Sequence, residues 1–202
     1  MDEMALINSA RHGDLDAFNR LVLGYQDQVF NLTYRMLGEM APAEDAAQDT
    51  FISAYRNLNS YRGGSFKAWL FRIATNACYD ELRRRQRRPT VPLEPVNQDD
   101  EEIESPAWIT DPGASPEEMA ERQELNQAIQ HCIENLSPEF RSVVVLVDVQ
   151  GLDYDEAAQA IRKPVGTVKS RLARARQRLR DCLQGVGELL PVAFRLLEES
   201  DQ

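Results

Sequence analysis

Histidine is almost missing from this chain: two residues, His12 and His131, stand in 202. Neither falls at a ligand spacing. His131 and Cys132 are neighbours, so on a helix they point to different faces. A metal centre or a nucleophile–base pair therefore has little material. Cysteine is scarce as well. Cys78, Cys132 and Cys182 lie 54 and 50 residues apart with no Cys-x-x-Cys pair. That odd number suits a reducing compartment and speaks against a disulfide framework. No run approaches the about 18 apolar residues of a membrane span. The start, MDEMALINSARHGD, is acidic and lacks the apolar segment of a secretory signal. The expectation is a cytoplasmic chain with no direct membrane insertion. A phosphate-cradling loop is lacking too, because Gly63-Gly64 is not followed by Lys and Ser or Thr. Carboxylates are plentiful, but they crowd into a proline-rich stretch where nothing holds two at a fixed separation. An enzyme has no support here, and no cofactor or metal is expected.

Basic charge is also in deficit, since 23 Lys and Arg face 33 Asp and Glu for a net charge of −10. The distribution reverses that impression. Residues 89–124 hold eleven acids and one base, so the rest of the chain sums to zero. Within that remainder, residues 161–180 hold eight bases and no acid, and residues 83–88 hold five arginines. A whole-chain charge is the wrong statistic for partners when the sign is segregated in this way.

A length of 202 residues allows one large domain or two small ones, with a core sufficient without metal or disulfides. Apolar residues recur at helical spacing from Leu15 to Met36, with Asp14 as cap and Gly38 as stop. Pro42 and AEDAAQDTFISAYRNL open a second helix. Its Ala46, Ala47, Phe51 and Tyr55 face inward, while Glu44, Asp45, Gln48 and Asp49 stay outside. A loop follows around Gly63-Gly64, then a helix, KAWLFRIATNACYDELRRRQRR, that turns basic at its end. Six prolines between 89 and 116 exclude a helix or sheet interior, so this acidic stretch reads as a mobile linker. Trp108 and Ile109 stand out in it as a docking spot or a local contact. Helical patterning resumes at Pro116. Ser137-Pro138-Glu139 starts a further helix containing VVVLVDV, whose β-branched run alone favours a strand. A lone strand among helices leaves its backbone unpaired, so a helix is predicted instead. Asp153 and Glu156 form a capping box. Arg162-Lys163-Pro164 makes a tight turn, and a long helix runs from Val165 to about Leu183.

The strongest local signal for function lies at 153–183: a short helix, a tight turn and a long basic helix, the plan of a helix-turn-helix at about 154–173. At about 100° per residue, Val168, Leu172, Ala175, Leu179 and Cys182 share one stripe. Gly166, Ser170, Ala173 and Gln177 lie opposite, flanked by Lys169, Arg171, Arg174, Arg176, Arg178 and Arg180. Short side chains bordered by bases suit a helix entering a major groove. Solvated faces usually mix signs, and this one does not. The second signal is 59–88. Tyr61, Arg62, Ser65 and Phe66 precede a helix with Trp69, Arg72 and Asn76, and then Arg83, Arg84, Arg85, Arg87 and Arg88. Aromatics interleaved with bases suit unstacked single-stranded bases. Core packing is the expected role of Trp69 and Phe71, and Tyr61, beside the glycine pair, is the exposed stacking candidate.

Three segments, AEDAAQDTFISAYRNL, SYRGGSFKAWLFRIATN and PVGTVKSRLARARQRL, resemble in order and spacing the extracytoplasmic-function (ECF) sigma factors of bacterial RNA polymerase, group 4 of the sigma-70 family. The resemblance implies an all-α fold of two small helical domains joined by a flexible acidic linker, with sigma domain 3 missing. Residues 1–88 are then sigma domain 2, 89–115 the linker and 116–183 sigma domain 4, with 184–202 a tail of unassigned role. It implies that Glu44, Asp45, Gln48, Asp49, Phe51 and Tyr55 bind core polymerase at the clamp helices of the beta-prime subunit. For the −10 element it implies Tyr61, Arg62, Ser65, Phe66 and Asn76 at a flipped base, with Arg83, Arg84 and Arg87 on neighbouring backbone. For the −35 element it implies Thr167, Lys169, Ser170, Arg171, Ala173, Arg174 and Arg176. The implied partners are core polymerase (beta-prime and beta subunits), promoter DNA and an anti-sigma factor, which could hold the chain at the inner face of a membrane. Arg162-Lys163 stands where many relatives carry an apolar residue and glycine. Two other functions compete: a sigma-like decoy that sequesters an anti-sigma factor, and a helix-turn-helix regulator with a sensory N-terminal domain. The decoy has no need of both basic segments, and the regulator leaves the Asp45–Asp49 helix and the Tyr61 loop unexplained.

Overall fold

The computed structural model describes residues 3–87 and 116–185, all of whose regular elements are helices. Arg88, the linker with Trp108 and Ile109, and the tail beyond Gly185 lie outside the described residues. The N-terminal half consists of α1 (Glu3–Arg11), α2 (Leu15–Leu37), α3 (Met40–Arg56), a 3₁₀ turn at Leu58–Ser60 and α4 (Phe66–Arg87). The C-terminal half consists of α5 (Pro116–Glu134), α6 (Pro138–Val144), a π-helical turn at Val145–Val149, α7 (Tyr154–Ile161) and α8 (Val165–Gly185).

Local chemistry sets most boundaries. Asp14 caps α2 by accepting the Ala17 N–H at 3.0 Å. Gly38 ends it with φ 82°, donating its N–H to the Tyr34 carbonyl at 2.8 Å. Phe18, Leu21, Val29, Leu32 and Met36 are buried on one face of α2, as their spacing predicts. Pro42 falls within the first turn of α3, where the missing N–H has no intrahelical partner to lose. Ser65 caps α4 by accepting the Ala68 N–H at 3.1 Å. The short α1 carries too few apolar positions for periodicity to announce it. Ile7 and Ala10 bury it against α2, and the Tyr25 hydroxyl donates to Glu3 across the two helices.

The VVVLVDV run is helical, as expected, but not uniformly. Gln150 donates to the Val145 carbonyl at 2.9 Å, an i to i−5 bond that widens the last turn into a π turn. Gly151, at φ 70°, then turns the chain. Asp153 and Glu156 form the reciprocal capping box, with bonds of 2.8 and 3.1 Å. Arg162 ends α7 at φ 53°, the left-handed region that glycine occupies at no cost.

One expectation is corrected. Cys132 of α5 and Cys182 of α8 form a disulfide, with Cα atoms 5.7 Å apart. The chain between them, a separation of 50 positions, folds back so that α8 returns along α5 and brings the sulfurs together. Cys78 remains a free thiol on α4, and burial pushes its pKa up to about 12, so it packs as an apolar group.

The two halves pack on each other, α2 and α4 against the C-terminal helices. Arg141, only 7% exposed, donates to the carbonyls of Met36 in α2 and of Glu134 and Leu136 at the end of α5. Arg35 donates to Gln130 at 3.1 Å, Gln150 to Asn31 at 3.0 Å, and Tyr79 to Ser142 at 2.8 Å. Lys67 donates to the Gln150 carbonyl at 2.7 Å.

Because the disulfide closes a 50-residue loop, reducing it should destabilise the C-terminal half by up to about 4 kcal/mol in the chain-entropy view. Urea unfolding followed by helical circular dichroism should show this shift on adding reductant. The Cys132→Ser variant should start at the lower stability and ignore the reductant.

Candidate nucleic-acid interface

The outer face of α8 is built as the sequence predicts. Val168, Leu172 and Ala175 are buried, while Lys169, Ser170, Ala173, Arg174, Arg176 and Gln177 are exposed and Thr167 and Arg171 half-buried. Its bases are not equivalent. Arg171 pairs with Glu139 at 2.8 Å. Arg176 makes a two-pronged pair with Asp148 of the π turn, and the bond to that carboxylate raises its pKa. Lys169 lies over the Tyr154 ring at 5.3 Å and Arg178 over Phe140 at 4.6 Å. Arg174 enters no ion pair among the described residues and projects beside Ser170 and Ala173. Sequence pattern found the face but could not say which arginines were already engaged.

At the end of α4 the arginines are likewise graded. Arg83 pairs with Asp80 at 2.8 Å and Arg84 with Glu81 at 2.7 Å, while Arg85 bridges Glu81 at 3.0 Å and Glu39 at 2.7 Å. Burial alone would raise the Glu81 pKa, but the bonds from Arg85 and Arg84 outweigh it and hold the carboxyl below its ordinary value. Arg83, Arg84 and Arg87 are exposed and, with Asp80, line an open hollow.

The loop between α3 and α4 departs from expectation. Tyr61 is 2% exposed, not a free stacking platform, and Phe66 is also 2% exposed. The rings of Tyr61, Phe66 and Trp69 pack within 5.4–5.7 Å of one another. The Tyr61 hydroxyl donates to the Gly64 carbonyl at 2.6 Å. Gly63 and Gly64 stand at φ 93° and 87°, so the tyrosine pins a turn that only glycine adopts without strain. The loop still walls a cavity of about 290 Å³, lined by Tyr61, Arg62, Ser65, Trp69, Arg72 and, from the other half of the chain, Gln159. Gln159 had no signal in the sequence, since it is one polar residue on a short helix.

Asn76 does not join that cavity. It is exposed in a groove of about 560 Å³ between α3 and α4, beside Asp45, Gln48, Asp49 and Arg84. On α3, Glu44, Asp45, Gln48 and Asp49 are exposed as predicted. Phe51 is half-buried, but Tyr55 is not an inward residue: it is 40% exposed, with its ring 4.9 Å from Phe18. The described residues hold no cluster of ligands for a metal ion and no helix long and apolar enough to cross a membrane.

Tyr61→Phe keeps the ring packing and loses one bond, so it should cost about 1 kcal/mol of stability. Tyr61→Ala empties the aromatic cluster and should cost about 3–5 kcal/mol. Chemical denaturation of both variants measures the difference, and equal losses would mean that the hydroxyl, not the ring, holds the loop.

Comparison with known proteins places these surfaces in one family. The description "Sigma-70 region 2" matches residues 21–88, and "Sigma-70, region 4" matches residues 126–179. The ECF RNA polymerase sigma factor SigE of Mycolicibacterium smegmatis is 38% identical over 169 residues, covering 84% of this chain and 62% of that protein. The RNA polymerase sigma-H factor of Pseudomonas aeruginosa is 36% identical over 183 residues, covering 90% of this chain and 94% of that one. The fold also matches the sigma factor RpoE in its complex with the anti-sigma factor NepR from Bartonella quintana. There the TM-score is 0.61 and the identity 27%, over 83% of this chain and 96% of that one. With both sigma regions matched in order and the Pseudomonas relative aligned along 94% of its length, the chain belongs to the ECF sigma factors of RNA polymerase.

Proposed function

We propose that this sigma factor acts through three separate surfaces and has no chemistry of its own. The observation that carries the reading is the exposed face of α8, where Ser170, Ala173 and Arg174 stand clear among bases that no acid interrupts between 161 and 180. That face enters the major groove of the −35 element, with Lys169, Ser170, Ala173 and Arg174 nearest the base edges and Thr167, Arg171 and Arg176 toward phosphates. The exposed acids and Gln48 of α3, with Phe51 and Tyr55, dock on core polymerase. The Arg62–Ser65 loop receives a base of the opened −10 element, and Arg83, Arg84 and Arg87 hold neighbouring backbone. Tyr61 and Phe66 serve that site by fixing the loop rather than by stacking on the base. Asn76 borders the α3 groove, so its contribution is to the polymerase side or to backbone beside Arg84.

Residues 1–88 carry the polymerase and −10 functions, 116–183 the −35 function, and 89–115 connect them. The solved complex with NepR supports a further partner, an anti-sigma factor that holds the chain inactive in the cytoplasm or beneath a membrane.

Mixing the chain with core polymerase and a promoter library, then sequencing transcripts, tests the reading. Specific initiation sites should appear, and none should appear with either component alone. Core binding without specific transcripts would favour the decoy. Specific duplex binding without core binding would favour a simple regulator. On the recovered −35 duplex, Arg174→Ala should relax preference at one position by about 1–3 kcal/mol. Asp148→Asn should release Arg176 and strengthen binding to all sequences alike, steepening the slope of log K against log salt by up to about 0.9. Equal losses for Arg174→Ala on specific and random duplexes would make Arg174 a phosphate contact only.

A further inference from the structure

The residues of α8 proposed to face the bases are not equally fixed in place. Ser170 and Ala173 are short and stand where the helix puts them, whereas Lys169 carries a compact charge on a flexible four-carbon stem. An ammonium that wanders over several base pairs attracts DNA but chooses nothing. Here it is held at one point, because its Nζ lies 5.3 Å from the centroid of the Tyr154 ring. We propose that Tyr154, the first residue of α7, is a positioning residue for sequence reading by α8, its ring aiming the Lys169 ammonium at a single base pair. This deepens the proposed −35 role and rests on it.

Tyr154 is 38% exposed, so core packing does not account for a large ring at this position. Its place is well set. Gly151 turns the chain at φ 70°, and the reciprocal capping box of Asp153 and Glu156 fixes the first turn of α7. Lys169 and Arg176 stand seven residues apart, about two turns, along one edge of α8. Tyr154 serves both. The Asp148 carboxylate is the larger cause of the raised Arg176 pKa, and the Tyr154 hydroxyl adds to it. The kind of contact matters as much as its place. Arg171 and Arg176 are held by carboxylates, which fix a cation by cancelling the charge that DNA would meet. Lys169 enters no ion pair among the described residues. An aromatic face holds a cation through the ring quadrupole and leaves its charge and N–H donors for an acceptor such as guanine O6 or N7. A ring partner therefore suits a cation that reads sequence. Acid partners suit cations that exchange one anion for another on the phosphate backbone.

The full chain on core polymerase, offered a promoter library randomised through the −35 element, gives the preference at each base pair. Tyr154→Leu removes the ring face and should lower the preference about two- to fivefold at one base pair, the worth of an exposed cation–π contact. That base pair should be the one at which Lys169→Ala loses preference. The double variant should discriminate no worse than Lys169→Ala alone, since a residue that acts through another adds nothing once its target is gone. Tyr154→Trp offers a larger π face and should keep the preference. Tyr154→Phe should also keep it, losing only the hydroxyl beside Arg176. A loss spread evenly over all sequences, additive losses in the double variant, or an unchanged preference in Tyr154→Leu overturns the positioning role. Circular dichroism checks that each variant keeps its helices, and Tyr154→Gln is read in place of Tyr154→Leu if the latter does not fold. A natural chain without preference anywhere in the −35 element instead strikes the reading on which this role rests.

Discussion

A single buried guanidinium ties this molecule together. Arg141 reaches from α6 to three carbonyls, those of Met36, Glu134 and Leu136, at the C-terminal ends of α2 and α5. Helix C-termini present carbonyls without intrahelical partners and a negative dipole end, so a cation placed between two of them meets a double demand. Burial holds the Arg141 pKa below its ordinary value, with the Glu134 carboxylate pulling the other way. The planar fork of arginine suits this task, because its donors reach several acceptors at fixed angles. The same contact orders the C-terminal half by stopping α5 and joins it to the N-terminal half at α2. Gly38 fits beside it, where a Cβ would run into the Glu134 carboxylate. The packing of α7 along α4 is a downstream consequence, since α7 follows directly from the segment Arg141 anchors.

The parts of the fold that were legible are those decided within a few residues. Asp14 and the Asp153–Glu156 pair cap their helices as their side-chain chemistry dictates, and the inward stripe of α8 follows from spacing alone. The illegible parts are decided by tertiary placement. The Cys132–Cys182 bond depends on α8 returning along α5, and no local rule encodes that return. The π turn at Val145–Val149 closes on the Gln150 N–H, and the Gln150 side chain is held by Asn31 of α2 at 3.0 Å. Arg141 stands two residues before the β-branched run, where an arginine reads as a surface residue, and only the facing helix ends explain its burial.

The candidate site divides in the same way. Charge segregation located both basic segments, because net sign survives folding. Which bases remain available did not survive from sequence to structure. Arg171 and Arg176 of α8 are held by Glu139 and Asp148, residues 32 and 28 positions away in the chain. An arginine already paired exchanges one partner for another on meeting a phosphate, and the net gain is smaller than for an uncommitted one. Arg174 enters no ion pair among the described residues, so on the proposed −35 role the discriminating power of α8 would concentrate near Ser170, Ala173 and Arg174 even though the bases are spread along its length.

The loop at Gly63-Gly64 shows why composition misled for Tyr61. An aromatic beside two glycines suggests an exposed ring, because glycine-rich loops rarely bury side chains. Here the glycines do the opposite work. Their left-handed backbone folds the loop back so that the Gly64 carbonyl reaches the Tyr61 hydroxyl, and Phe66 and Trp69 close around the ring. Capturing an extruded base then cannot rely on that ring as a stacking surface without breaking the cluster that shapes the loop. The remaining groups at the cavity, Arg62, Ser65 and Arg72, offer donors and charge. On the proposed −10 role, a site of that chemistry would hold a base by its polar edge and adjacent phosphate, so its affinity should depend on salt more than on the stacking strength of the base.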